Sequence, residues 1–315
     1  MYTTNTSPAL IEQEIYGTTI QTSLDETLLP NVMFMDVTGE FKTGETFNMP
    51  VLGDVVVEEL EEDSGFVYNP LESGRVQLQI TDHVGTAWYI TDKFRQDSYL
   101  VDQAIATHSQ KAAQGIKEKY ESSFLAAGAK YFEGSAGADV INGQPHKIVS
   151  AETNNIFTYK HLIKAGLALD VAKVPQAGRV FVASPVVAAT MASLVNLSTD
   201  ISNFAKEVFT MGVRDEFRIR FSMNGFDVMI SNLLHVGDFN DGTTALAGGV
   251  CNLAMSILDD NLKPIFGAWR QMVEVEYERD ADKRRDKFTA SARWGFGVKR
   301  VDTMVAIVTS KDDFE

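Results

Sequence analysis

Between Asp97 and Gly128, apolar residues recur at helical spacing. Val101, Ile105, Ala112, Ile116, Tyr120 and Phe124 follow one another at intervals of four, seven, four, four and four residues. That spacing lines them up on one side of an α-helix, and Asp97 offers an N-cap. At 1.5 Å per residue the helix is roughly 40 Å long. Few domains of this size need a helix that long, and it acts as a strut.

Before the strut the pattern is β. Thr46–Val51 alternates briefly, and Val55, Val56 and Val57 begin a second apolar run. Six acids then fall between Asp54 and Asp63 (Asp54, Glu58, Glu59, Glu61, Glu62 and Asp63) with no base among them. Val76 to Ile80 alternates with the period of a half-exposed strand, and Thr86 to Thr91 reads as another. This predicts a long two-stranded excursion that leaves near Lys42 and returns near Lys93. Ahead of it, residues 1–31 read as an arm, with a short helix after Ser7-Pro8 whose apolar face, Leu10, Ile11, Ile15 and Tyr16, docks either on the body or on another subunit.

After the strut, a glycine-rich joint spans Glu133 to Gly143. Thr158–Val174 reads as a helix whose packed face includes Leu162, Ile163, Ala165, Gly166, Leu169 and Val174. Arg179–Ala183 reads as a strand, and Ser184-Pro185 opens a further helix. Asn224-Gly225 joins two strands as a tight hairpin. Ala245–Ser256 is small and apolar and fits either element. Two strands, Met272–Glu278 and Phe288–Trp294, flank a charged turn over Arg279–Lys287, and Val298–Thr309 closes the β pattern.

With 315 residues, 44% of them hydrophobic, the chain can fill one large domain or two medium ones. Its net charge of −15 has no basic run to offset it, which argues against gripping nucleic acid through phosphates. Cys251 is the only cysteine, so neither an intrachain disulfide nor a cysteine-rich zinc site is expected, and a reducing compartment fits. The opening MYTTNTSPALIEQEIYG has neither the basic nor the apolar part of a secretory signal. No apolar run nears the roughly 18–20 residues that span a membrane. A cytosolic chain with no membrane partner is the expectation.

Searching for chemistry turns up little. His83, His108, His146, His161 and His235 are scattered without ligand spacing, and His108 falls on the apolar side of the strut, as a core or interface histidine would. No phosphate-cradling, dinucleotide-binding or nucleophile-elbow motif is present. Asp259-Asp260-Asn261 lacks the glycine and closing glutamate of a calcium loop. No catalytic, metal or cofactor site is expected. An arm, a projecting hairpin and a strut without a catalytic constellation describe an architectural part.

In their order, these elements resemble tailed-bacteriophage major capsid proteins of the Hong Kong 97-type fold, an α+β class. Three passages carry the resemblance: Ile90–Phe94 running into Asp97–Asp102, the hairpin Phe221–Asn232 with Gly225-Phe226 and Ser231-Asn232, and Trp294–Lys299 followed by Val305–Val308. The resemblance implies an N-terminal arm over 1–31 and an extended loop (E-loop) with flanking strands over 32–94. It implies a peripheral domain with a spine helix over 95–149, a mixed α/β axial domain over 150–270, and return strands over 271–315.

The function so implied is a coat protein that assembles into hexamers and pentamers, forming an icosahedral shell around double-stranded DNA. It would be made in the host cytoplasm and reside in the virion. Each E-loop would lie on a neighbour, its tip offering Glu58, Glu59, Glu61, Glu62, Asp63, Phe66 and Tyr68. The densest basic counterpart is Lys283, Arg284, Arg285 and Lys287. Portal protein and a separate scaffolding or decoration protein would be partners, and packaged DNA would be touched only non-specifically. Residues 43–92 hold no lysine, so covalent cross-linking through the loop is not implied. A cellular shell of the same fold, and an α/β enzyme with a dispersed site, are the alternatives.

Overall fold

The structure, a computed structural model, describes residues 30–41, 44, 46–52, 73–97, 101–197 and 219–312. Its elements begin with α1 (Pro30–Met33), β1 (Met35–Asp36), β2 (Thr46–Leu52), β3 (Ser73–Gln79) and β4 (Asp82–Thr91). Helices α2 (Asp92–Asp97) and α3 (Val101–Glu133) follow, then three short strands: β5 (Val140–Ile141), β6 (Gln144–Pro145) and β7 (Lys147–Val149). The middle comprises α4 (Tyr159–Val171), β8 (Arg179–Ala183), α5 (Pro185–Leu197), β9 (Ile219–Met223), β10 (Phe226–Ile230), β11 (Val236–Asn240) and β12 (Ala245–Ser256). The chain closes with β13 (Ile265–Asp280), β14 (Arg285–Val298) and β15 (Met304–Thr309). The expected helix in the first arm lies outside the described residues.

The strut is α3, 33 residues long, and Ile105, Ala112, Ile116, Tyr120 and Phe124 are all buried, as their spacing requires. Three details differ from the sequence reading. Asp97 ends α2 and does not cap α3. His108 is exposed, and the buried position beside it is Ser109. Gly128 does not stop the helix. A Cβ there would stand 3.1 Å from both the Leu253 Cδ1 and the Met304 Sδ, so the glycine lets helix and sheet approach closely.

Beneath α3 lie two sheets. One has four strands in the order β1-β13-β14-β4; the other has seven, β7-β15-β12-β8-β10-β9, with β11 added alongside β12. β15, grouped by the sequence reading with the closing strands, pairs with β12 and β7 in the seven-stranded sheet. One continuous core runs from Ala290, Ala292 and Trp294 of the first sheet, along α3, to Val182, Leu253 and Met304 of the second. At its centre Tyr120 stacks on Trp269, with centroids 4.4 Å apart, and meets Trp294 and Phe296 edge-on. Such pairs add about 0.5–1.5 kcal/mol each beyond burial. The other face of the seven-stranded sheet is covered by α4 and α5 through Leu162, Ala165, Leu169, Val187 and Met191. With both faces covered, β8 and β15 are buried throughout, and β12 is buried over its last eight residues. A strand buried on both sides shows no alternation, which is why Ala245–Ser256 is ambiguous as sequence.

Two polar groups organise this core. Asn252 accepts a hydrogen bond from the Ser184 N–H at 2.8 Å and donates to the Ile307 carbonyl at 3.0 Å and the Thr309 hydroxyl at 3.1 Å. Lys147, with no exposed side-chain surface, sends its Nζ to the carbonyls of Phe132 (3.0 Å) and Ser135 (2.6 Å), with Asp139 Oδ2 at 3.5 Å. A cation is thereby fixed at the negative end of α3's dipole.

Local signals act as expected elsewhere. Ser184 Oγ accepts from the Val187 N–H at 3.3 Å at the start of α5, and Asn224 and Gly225 take positive φ of 51° and 77° in the β9–β10 turn. In α4, His161 occupies the third helical position, where a glutamate usually closes the capping box, and its Nδ1 accepts from the Thr158 N–H at 3.1 Å. Burial, and then nearby Lys164, push its pKa down to about 4. Between pH 6.5 and 4 the unfolded chain binds a proton that the native imidazole refuses. This stabilisation is therefore complete above about pH 6.5 and is lost as pH falls toward 4. Wild-type protein is expected to lose about 2 kcal/mol more than His161→Gln between pH 7 and pH 5 in urea unfolding. Equal losses would exclude the histidine as the cause.

Candidate assembly surfaces

β2 and β3 pair antiparallel from Thr46↔Gln79 to Leu52↔Ser73, so residues 53–72 join them at the far end. The ribbon belongs to neither larger sheet. Burial fades along it: Ile80 and Leu78 are buried, Val76 is half-buried, and Gly74 and Ser73 are exposed. Only the root has a core, made of Val37, Phe41, Leu78, Ile80, Phe266 and Ala268. The root is seated on glycines of β14. A Cβ on Gly295 would fall 2.6 Å from the Gln79 carbonyl oxygen and 2.8 Å from the Ile80 Cα, and one on Gly297 would crowd the Phe266 ring at 2.9 Å. The Trp294-Gly295-Phe296-Gly297 passage thus gives the departing chain room to lie directly on β14.

The projecting part is shorter than the sequence suggests. β4 is not a returning arm of the ribbon: it pairs with β14 from Asp82↔Trp294 to Thr91↔Arg285 and forms an edge of the four-stranded sheet. Its inward residues hold it there, Ile90 packing with Ile105 and Phe288, and Trp88 stacking on Phe288 at 5.6 Å. Glu58, Glu59, Glu61, Glu62, Asp63, Phe66 and Tyr68 lie outside the described residues.

The opposite candidate, the basic cluster, is divided by the structure. The β13–β14 turn is only residues 281–284, because both strands run further than expected. Lys283 and Arg284 sit exposed on the turn, and among the described residues neither forms an ion pair. Arg285 and Lys287 lie in β14 and hold Asp280 at 3.0 and 3.1 Å. The Arg285 guanidinium also lies 4.8 Å from the centre of the exposed Tyr89 ring. The hydrogen bond from Lys287, aided by the Lys283 N–H and Arg285, pulls the Asp280 pKa down to about 2.

Beside the turn is a network the sequence reading missed. Arg279 grips both oxygens of Asp92 at 2.6 Å and reaches Asp286 at 2.9 Å. Asp286, only 1% exposed, also accepts from Tyr277 Oη at 2.8 Å and pairs with Arg95 at 2.7 Å. Burial and then Asp286 push the Tyr277 hydroxyl up to about 12, and Arg279 holds Asp92 below its usual range. The network ties α2 to the turn and leaves Lys283 and Arg284 on a stiff support. Asp92 and Arg279 stand 187 positions apart, and no local pattern announces such a pairing.

A groove of about 340 Å³ between α3 and residues 230–233 is lined by Gln114, Lys117, Glu118, Ser231 and Asn232. Among the described residues no three His, Cys, Asp or Glu side chains gather as a metal site, and no helix is long and apolar enough to cross a membrane. What the described surface does offer is places for contact.

The capsid of cyanophage P-SCSP1u is similar in structure, with a TM-score of 0.65 at 14% identity over 90% of this chain and 89% of that one. So is Mycobacterium phage Che8, with a TM-score of 0.58 at 16% identity over 89% and 90%. The capsid of Ralstonia phage GP4 gives 0.58 at 12% identity over 89% and 88%. At such identities the likeness speaks to the fold, and the fold is the α+β Hong Kong 97-type capsid fold. No curated protein matches the sequence. The phage capsid protein family, however, matches residues 75–307, from the outer part of β3 to the last strand. With that span matched on this fold, the chain belongs to the phage capsid protein family and is a major capsid protein of the tailed-phage head shell.

Proposed function

We propose that copies of this chain close into hexameric and pentameric capsomers, and that these tile an icosahedral head around double-stranded DNA. The observation that carries the reading is the β2–β3 ribbon, which leaves the body after a small root core and belongs to neither larger sheet. A two-stranded ribbon is marginal alone in water, so a neighbouring copy is the natural source of its order. In this arrangement residues 32–94 form the E-loop with its flanking strands, following an arm over 1–31. Residues 95–146 and 271–303 form the peripheral domain, and 150–270, completed by β7 and β15, form the axial domain around the capsomer centre.

Each loop tip, with Glu58, Glu59, Glu61, Glu62, Asp63, Phe66 and Tyr68, lies on a neighbour's peripheral domain and faces Lys283 and Arg284. Arg285 and Lys287 act there mainly by stiffening the turn through Asp280. A net charge of −15 suits a wall that must not trap its DNA. Assembly takes place in the host cytoplasm, with portal protein and a separate scaffolding or decoration protein as partners. Negative-stain microscopy of the purified protein tests this: closed shells with capsomers are expected. A discrete dimer or tetramer that forms no particles under any condition would overturn the reading, and shells filled with protein instead of DNA would replace it with a cellular compartment.

A further inference from the structure

Helix α4 carries an apolar stripe on its outer side. Tyr159, Ile163 and Leu167 are 42%, 46% and 47% exposed and stand four residues apart. The sequence reading placed Ile163 on the packed face. That face instead consists of Leu162, Ala165, Ala168 and Leu169, which meet Phe181, Val228, Val305 and Ile307 of the seven-stranded sheet. Because α4 covers the sheet, its outer side is the outermost layer of this half of the subunit. Lys160 and Lys164, both exposed, follow the first two apolar residues and make the stripe cationic. Single exposed apolar side chains are ordinary, whereas these three stand in register and form one continuous apolar strip along the helix.

We propose that the outer face of α4 docks on a second copy of this chain, as one of the contacts holding subunits together within the shell. The inference rests on the assembly reading above. Charge selects the occupant: in a shell of chains each carrying −15, every neighbour is acidic, and a cationic apolar stripe complements an acidic surface with apolar residues in it. Two lysines among tyrosine, isoleucine and leucine are a poor phosphate groove, so DNA is not the partner this face fits. From Tyr159 to Leu167 the stripe is only about 12 Å long. A stable interface buries about 800 Å² per partner, so the stripe is one part of a larger contact that forms cooperatively with the others. That also keeps a lone subunit soluble.

The test uses Ile163→Cys, since the only native thiol, Cys251, is fully buried and burial raises its pKa. Free subunits should react with a maleimide at the rate of an exposed thiol, and assembled particles at least about tenfold more slowly. In parallel, Ile163→Glu with Leu167→Glu should leave Tm within a few degrees while particle yield falls at least about tenfold. Equal labelling in both states, protection already present in dilute free subunits, or protection of free subunits by added DNA would each overturn the proposal. If the wild type makes no particles yet labelling slows with protein concentration, the docking face stands and the shell reading falls.

Discussion

Lys147→Met is expected to lower the stability of the subunit by about 3 kcal/mol, a fall in Tm on the order of 5–10 °C. The reason is local. The ammonium is fully buried and is the donor to the Phe132 and Ser135 carbonyls, with the Asp139 carboxylate beside it. Methionine fills much of the same space but donates nothing, so two carbonyls and a carboxylate lose their partner. A buried ion pair broken on one side costs more than one replaced on both. Lys147→Met with Asp139→Asn should therefore cost less than the sum of the single changes, and urea unfolding of the four proteins measures that difference. A single variant within about 0.5 kcal/mol of wild type would mean that water replaces the ammonium, and the lysine would not be holding the end of α3.

Reversing Glu58, Glu59, Glu61, Glu62 and Asp63 to lysine together should abolish particles while the subunit still folds. If the tip docks only on a neighbour, each change there shifts the lone subunit's stability by about ±0.5 kcal/mol, and its Tm should hardly move. Assembly differs, because in the proposed shell every subunit would make the contact. An exposed pair gives only about 0–1 kcal/mol, but a loss of about 1.4 kcal/mol per contact is already tenfold per subunit. In the proposed arrangement a reversed tip would also repel Lys283 and Arg284, where the native tip would attract them. Adding Lys283→Glu and Arg284→Glu should restore part of the yield, since the pair is then swapped. Normal particles from the five-residue variant would show that the tip does not face a partner. Sedimentation and microscopy at two salt concentrations read the outcome, and the native contact should weaken as salt rises.

What the sequence announces well is anything set by near neighbours: the period of α3, Ser184-Pro185 opening α5, and Asn224-Gly225 in its hairpin. It misleads where a residue's role is decided across the fold. Gly128 reads as a stop, yet its missing Cβ admits Leu253 and Met304 against a continuous helix. β12 cannot be told from a helix because both its faces are covered. Ile163 reads as core and is exposed, since the neighbouring Leu162 takes the inward position. Among the candidate contact residues, charge pattern identifies the cluster after Asp282. Only three-dimensional pairing separates the committed Arg285 and Lys287 from Lys283 and Arg284.

Helix α3 shares one unbroken core with both sheets, so the subunit behaves as a single stiff tile. The ribbon is attached differently: its root meets β14 by surface fit at Gly295, without a common ladder of backbone hydrogen bonds among the described residues. Tilting the ribbon against the tile disturbs side-chain contacts and leaves every strand pairing of the body intact. In the proposed five-fold and six-fold rings, one shape can then meet neighbours at slightly different angles, with the adjustment made at a joint and the tile itself unbent.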